Sequence, residues 1–372
     1  MKKILFAILL ILGALITLSV NSPSSRVEYP LASPDPGLSE IETDENHNAD
    51  SLAATPEPTP EPTPEPTPEP PKEETFTISL GGNCLLGQIH EWGNVKNSFV
   101  DVVKENYSYP LANLKEFFGN DDFTLVNLGN AFTDGSTPSA KQYKFKGDPK
   151  YAQVLKEGSV ECVCLANSHA NDYGDKGYKD TIAALEGAGI KYTDGDKPIV
   201  YECARGLKIG VVSFNEVESS QKLETLVQKA IEQLKSLDAD LKIVYMNCGI
   251  VSAPAPTQLI IEQAKAMVDA GADIVVGSNS KVPHPIEFYN GKPIIYSLGN
   301  LCYGGHTNPD SKDTAIVSQK VILSGTGEVS LGDTTIIPCS LSGKKDSNDY
   351  CPSVYAEGSE DYNRVLKMLK VS

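Results

Sequence analysis

Two short polar loops, each following an apolar strand-like run, carry the residues on which chemistry could rest. Val160 to Leu165 (VECVCL) runs into Ala166-Asn167-Ser168-His169, and Ile274 to Val276 runs into Gly277-Ser278-Asn279-Ser280-Lys281. A buried strand of an α/β sheet delivers its loop to the carboxyl edge of the sheet, where such folds keep their sites. His169 is the one residual catalytic candidate. Its imidazole could hold a phosphate or carboxylate, or serve as a structural donor bracing a tight loop. Lys281 offers an ammonium, a donor with no free lone pair, whose charge repels a dication and favours an anion. Cys84, His169 and Cys248 have the residue types of a zinc site, or of a Cys-His nucleophile pair, without supporting spacing or a third orienting group. The other polar candidates have structural readings. Asp172 and Tyr173 are expected to cap a helix starting near Asp175. His284 is expected as a satisfied surface or loop residue, His306 as solvated within YGGHTNPD, and Asn300 as the fixing point of a turn.

The loops sit inside long motifs. LANSHANDYGDKG (165–177) and GSNSKVPHPIEFYNGKPIIYSLGNL (277–301) resemble the bacterial capsule-synthesis family known as CapA, which is linked to poly-γ-glutamate and related to calcineurin-type metallophosphoesterases. That family reads LANNHxxDYGxxG and GHHPHxxxPIExYNGKPIxYSLGNF. The resemblance spans Thr75 to the C-terminus and implies a layered α-β-β-α sandwich: two packed sheets flanked by helices, with the site loops gathered at one edge.

Where that family is implied to bind metal, this chain departs from it. The carboxylate closing the first strand is Asn83, in FTISLGGNC, and the glutamate of the next motif is Gly129, in VNLGNAFTD. The ligand asparagine before the motif histidine is Ser168, a later histidine is Asn247, and the histidines of GHHPH are Ser278, Asn279 and Lys281. Divalent metals of the Mn, Fe or Zn type need carboxylate and neutral imidazole ligands, usually four or more around each ion. Without a metal, the pKa of a would-be nucleophilic water returns to about 15.7. The resemblance therefore implies a pocket of Asn83, Gly129, Asn167, Ser168, His169, Asn247, Ser278, Asn279 and Lys281, with no cofactor and the divalent metals lost.

The elements that must position this pocket follow from periodicity. Strands are expected at 76–80, 123–128, 160–165, 199–203, 207–214, 241–247, 273–277, 285–289 and 293–297. Helices are expected at 176–187, 219–237 and 257–270. Strands alternating with helices give an α/β layered domain. Hairpins are signalled at 204–207 and at Asn290-Gly291. The tail reads as a further hairpin over 314–338 and a short helix over 358–370.

Ahead of the domain, Lys2 and Lys3 precede an apolar run from Ile4 to Val20, the pattern of a secretory signal or an uncleaved membrane anchor over 1–22. Residues 23–74 read as a disordered, extended stalk built on TPEPTPEPTPEPTPEP (55–70). Residues 26–74 hold 13 acids against 2 bases, whereas residues 75–372 hold 36 acids against 28 bases. The net charge of −17 is thus mostly stalk. No basic run appears, which speaks against a nucleic-acid partner. The eight cysteines fall mostly in apolar strands and are expected as free core thiols, with Cys339 and Cys351 the one plausible pair.

Two functions follow. One is an extracytoplasmic, secreted or anchored binding or scaffolding module for an anionic envelope or capsule polymer such as poly-γ-glutamate. The other is a hydrolase or transferase on that polymer, or on a phosphoester, with relocated ligands.

Overall fold

The computed structural model describes residues 72–93, 95–215 and 223–370. The signal or anchor segment, the proline-rich repeat and the start of the helix expected from Ser219 lie outside them.

The first strand, Glu74–Leu85, organises the larger sheet. It pairs in parallel with Phe123–Leu128 and antiparallel with Asp313–Leu323. Cys162–Cys164 and Lys191–Thr193 extend the sheet on one side, and Val329–Ser340 and Ser353–Val354 on the other. The short strand Asn300–Tyr303 also pairs with Glu74–Leu85 in parallel, placing Asn83 opposite Asn300 and Cys84 opposite Cys302. The second sheet runs, in spatial order, Pro283–Tyr289, Lys292–Leu298, Ile274–Ser278, Leu241–Asn247, Lys208–Asn215 and Ile199–Glu202. A small third sheet joins Gln88–Ile89, Phe145–Gly147 and Ala131–Phe132.

Alternation along the strands explains the layers. Phe76, Ile78 and Leu80 meet Ile209, Val211, Ile243, Tyr245, Ile274 and Val276 in one core between the two large sheets. The outer face of the second sheet packs Val212, Val244 and Val275 against Leu226, Leu234, Ala264 and Met267, from the helices Leu223–Ser236 and Gln258–Asp269. On the far side of the first sheet, Val126 and Val163 pack against Val154, Leu155 and Leu185 of the helices Ala152–Glu157 and Gly174–Ala188. The expected layered α-β-β-α sandwich is the architecture found.

Each of the nine expected strands is present within a few residues, and the tail forms its hairpin and the helix Glu360–Met368. The expectation of a cap from Asp172 and Tyr173 fails. Tyr173 is the N-cap residue of Gly174–Ala188 but makes no side-chain capping bond, and the Asp172 carboxylate is spent elsewhere. His284 is a buried strand residue rather than a surface one, its Nε2 2.7 Å from the Ala253 carbonyl oxygen. Burial lowers its pKa. All eight cysteines are free and buried. Cys339 donates to the Ile337 carbonyl and Cys351 accepts from Asn113, so the two are not paired with each other.

Candidate functional site

The parallel strands of both sheets end at a common edge, and the loops leaving them enclose a cleft of about 430 Å³. Asn83, Gly129, Asn167, Ser168, His169, Asn247, Ser278, Asn279 and Lys281 all line it. Asn83, Gly129, Asn167, Ser168 and His169 come from the first sheet; the other four come from the second.

The floor is a chain of side-chain amides. Asn167 Nδ2 donates to Asn127 Oδ1 at 3.2 Å, Asn127 Nδ2 to Asn83 Oδ1 at 2.7 Å, and Asn83 Nδ2 to Asn300 Oδ1 at 3.1 Å. An amide both donates and accepts, so such a chain closes with no net charge; a carboxylate, which only accepts, could not continue it. Asn127, Asn167 and Asn300 are buried, so each bond spares a desolvated polar group. Gly129 belongs to this arrangement. A Cβ on it would lie 2.3 Å from Asn83 Oδ1 and 2.9 Å from Asn83 Cγ, so the Asn83 amide occupies the space a side chain at 129 would need. The two departures from the family pattern fit each other.

His169 forms the wall beside this floor. Its backbone N–H donates to Asn167 Oδ1 at 2.9 Å, its ring meets Phe145 edge-on at 4.7 Å between centroids, and its Nδ1 lies 2.8 Å from Asp172 Oδ2. With Nδ1 committed to that carboxylate, Nε2 is the nitrogen left for other partners. Asp172 has no exposed side-chain surface. It also accepts from the Phe145 backbone N–H at 2.9 Å and from Lys141 Nζ at 3.0 Å, and Lys141 reaches the Ser168 carbonyl. One buried carboxylate thus fixes both His169 and the 139–145 loop. Sequence reasoning missed this role, although the spacing of Asp172 three residues after His169 on a turn was its visible signal.

Across the cleft, Asn247 Nδ2 donates to Asn215 Oδ1 at 2.9 Å. Asn279 has φ of 87° and donates to the Gly249 carbonyl. Asparagine tolerates this left-handed backbone better than most residues. Lys281 is exposed, with Nζ 5.8 Å from the centre of the Tyr303 ring and no acidic partner among the described residues. Leu85, Ile89, Tyr143, Phe145, Val251 and Tyr303 give the cleft apolar walls that the sequence did not announce. Asn127 and Asn300 were also missed; Asn300 opens a strand and bonds Asn83 instead of fixing a turn.

Cys84 and Cys248 belong to separate outer cores, and burial pushes both thiols up to about 12. Neither is placed as a ligand or nucleophile beside His169. His306 is exposed at the cleft rim. Among the described residues no three His, Cys, Asp or Glu side chains gather as a metal-binding group.

The model of the family described as bacterial capsule synthesis protein PGA_cap matches residues 77–304, more than half of the sequence. The chain belongs to that family. It is 29% identical over 281 residues to the PGA biosynthesis protein CapA of Bacillus subtilis (strain 168), covering 69% of this chain and 72% of that one. It is also 29% identical over 279 residues to the capsule biosynthesis protein CapA of Bacillus anthracis, covering 68% and 66%. Among solved structures it is similar to a hypothetical protein from Thermus thermophilus, with TM-score 0.45, 14% identity and coverage of 71% of this chain and 98% of that one. It is also similar to NAD nucleotidase from Haemophilus influenzae, with TM-score 0.40, 13% identity and coverage of 81% and 64%. The PGA_cap match takes in every pocket residue from Asn83 to Asn300 and ends just after Tyr303.

Proposed function

We propose that this PGA_cap protein serves capsule or poly-γ-glutamate synthesis as a non-catalytic binding or scaffolding module outside the cytoplasmic membrane. The names of its Bacillus relatives support the pathway. The basic and apolar start of the chain, followed by a proline-rich acidic stretch, supports secretion or anchoring with the domain outside.

The observation that carries the non-catalytic reading is the closed amide chain Asn300–Asn83–Asn127–Asn167 with Gly129 beneath Asn83. Metal pairs of the phosphoesterase type need anionic oxygens and imidazole lone pairs. These positions instead supply neutral amides whose oxygens already accept N–H groups, those of Asn83, Asn127 and Asn300 from within the chain and that of Asn167 from the His169 backbone. Lys281 lies nearby, and such a donor set does not fit a dication. The residues retained suit recognition: an exposed ammonium at Lys281, His169 held by Asp172, and uncharged donors and acceptors around them. An anionic envelope or capsule polymer such as poly-γ-glutamate is the partner class this reading names.

The test uses the full chain purified without a histidine tag. Bound Mn, Fe and Zn are quantified, and hydrolysis of bis-p-nitrophenyl phosphate is followed with and without chelator. Substoichiometric metal and no chelator-sensitive turnover are expected. Stoichiometric metal, or turnover abolished by chelator, would favour the rival reading of an active hydrolase or transferase with relocated ligands.

A further inference from the structure

We propose that the polymer held in the cleft continues past His306 into a second groove, where Lys312, Lys344 and Lys345 take its further carboxylates. This rests on the binding-module reading and turns a one-unit pocket into a track for several units.

The need for a second contact comes from the cleft itself. Among the described residues Lys281 is the only lysine or arginine lining it. Poly-γ-glutamate carries a carboxylate on every unit, and residues 75–372 hold 36 acids against 28 bases, so units beyond the first need counter-charges of their own. A groove of about 880 Å³ begins at Asn308, two residues past His306 on the cleft rim. Every residue lining it lies beyond 304, where the PGA_cap match ends.

The two grooves are braced against each other. Asn348 is buried, and its Nδ2 donates to the carbonyl oxygens of two cleft residues, Tyr303 at 2.8 Å and His306 at 2.9 Å. Its backbone N–H donates to the Thr307 carbonyl at 2.7 Å. Lys344 and Lys345 stand exposed on the same 342–349 segment, which is closed by the Gly343 N–H donating to Asp349 Oδ1 at 3.0 Å. Lys312 Nζ donates to Asn308 Oδ1 at 2.9 Å and to the Lys345 carbonyl, so three ammonium groups share one lip.

Acids and bases lining the groove are equal in number, four of each, but they are not mixed. Asp313, Glu360 and Asp361 lie on the wall that carries Arg364, which pairs with Asp313 at 2.7 Å and with Asp361. Lys312, Lys344 and Lys345 have no acidic partner among the described residues and face a ligand uncompensated. A chain anchored at Lys281 reaches them as a tethered second contact, which strengthens long polymers and leaves short ones unaffected.

The full chain is titrated by calorimetry with γ-linked triglutamate and γ-linked dodecaglutamate. In low salt the dodecamer is expected to bind at least thirtyfold more tightly, more than the ten registers it offers a three-unit site would give, and high salt should narrow the gap. Lys344→Gln with Lys345→Gln is expected to weaken the dodecamer at least fivefold and leave the trimer unchanged, whereas Lys281→Met weakens both. Lys179→Gln with Lys235→Gln removes the same charge from exposed positions outside both grooves and should change neither. A dodecamer advantage of tenfold or less, no selective loss in the Lys344 and Lys345 variant, or an equal loss in the Lys179 and Lys235 variant would overturn the track. Trimer binding that persists in those cases keeps the binding-module reading, whose own failure would appear as no binding of either oligomer.

Discussion

Adding a single methyl group at Gly129 tests whether the amide floor is one mechanical unit. In Gly129→Ala the new Cβ would stand 2.3 Å from Asn83 Oδ1, far inside ordinary contact. Gly129 is not among the residues with positive φ, so alanine meets no backbone penalty there, and the cost must come from displacing Asn83. Displacement breaks the 2.7 Å bond from Asn127 and the 3.1 Å bond to Asn300. Each bond is worth about 1 kcal/mol net, and a buried group left unpaired costs about 1–3 kcal/mol. The expected loss is therefore about 2–4 kcal/mol. Asn83→Ala removes the same two bonds and should cost a similar amount, while emptying the space that the new methyl needs. The double variant should then be hardly less stable than Asn83→Ala alone, giving a coupling equal to the cost of Gly129→Ala, about 2–4 kcal/mol. Urea unfolding of the four proteins, with unchanged m-values as the check on two-state behaviour, measures it. Costs that add to within about 0.5 kcal/mol would mean that Asn83 does not fill the space over Gly129, and the account of the floor would fail.

Glu161, pushed by burial to about 7, should make stability depend on pH: the native state holds a proton that the unfolded chain, with the ordinary value of 4.5, releases sooner. Its favourable contribution is complete below pH 4.5 and is lost as pH rises through 7, by about 3 kcal/mol at 1.36 kcal/mol per unit. Glu161→Gln should flatten unfolding curves compared at pH 5 and pH 8, and equal slopes for variant and wild type would contradict this. Asp172→Asn, which uncharges the buried partner of His169 and Lys141, should cost about 2–4 kcal/mol and speed proteolysis in the 139–145 loop; unchanged cleavage there would show that Asp172 does not hold the loop. Deleting 55–70 should leave the thermal midpoint of the domain unchanged, because that repeat has no apolar face; a fall of several degrees would show that it packs on the domain.

Most strands of the two large sheets were readable because many are β-branched or apolar runs ended by Gly or Asn, as at Leu241–Asn247, whereas the very short Lys191–Thr193 and Ser353–Val354 offer no such run and were not expected. Nor was Asn300–Tyr303, since its place in the sheet comes from pairing with a strand 217 positions earlier, and no local pattern encodes that. The same reason hid the amide chain. Asn83, Asn127, Asn167 and Asn300 are each ordinary in isolation, and only the fold sets them side by side. Motif positions located the cleft through Ser168, Ser278 and Lys281, whereas its aromatic walls come from loops whose side chains carry no periodicity, such as Tyr143 in residues 134–144. Asp172 was misread because a helix start near an aspartate looks like a cap, and its burial under the 139–145 loop is a tertiary fact.

The strand Glu74–Leu85 crosses the whole domain, entering at one edge and delivering Asn83 to the cleft at the other. Nine steps at about 3.3 Å place these two ends roughly 30 Å apart. On the proposed reading of an anchored binding module, the point of attachment ahead of Glu74 and the cleft would therefore lie at opposite ends of one strand, and the face that meets the polymer would be the one away from the attachment.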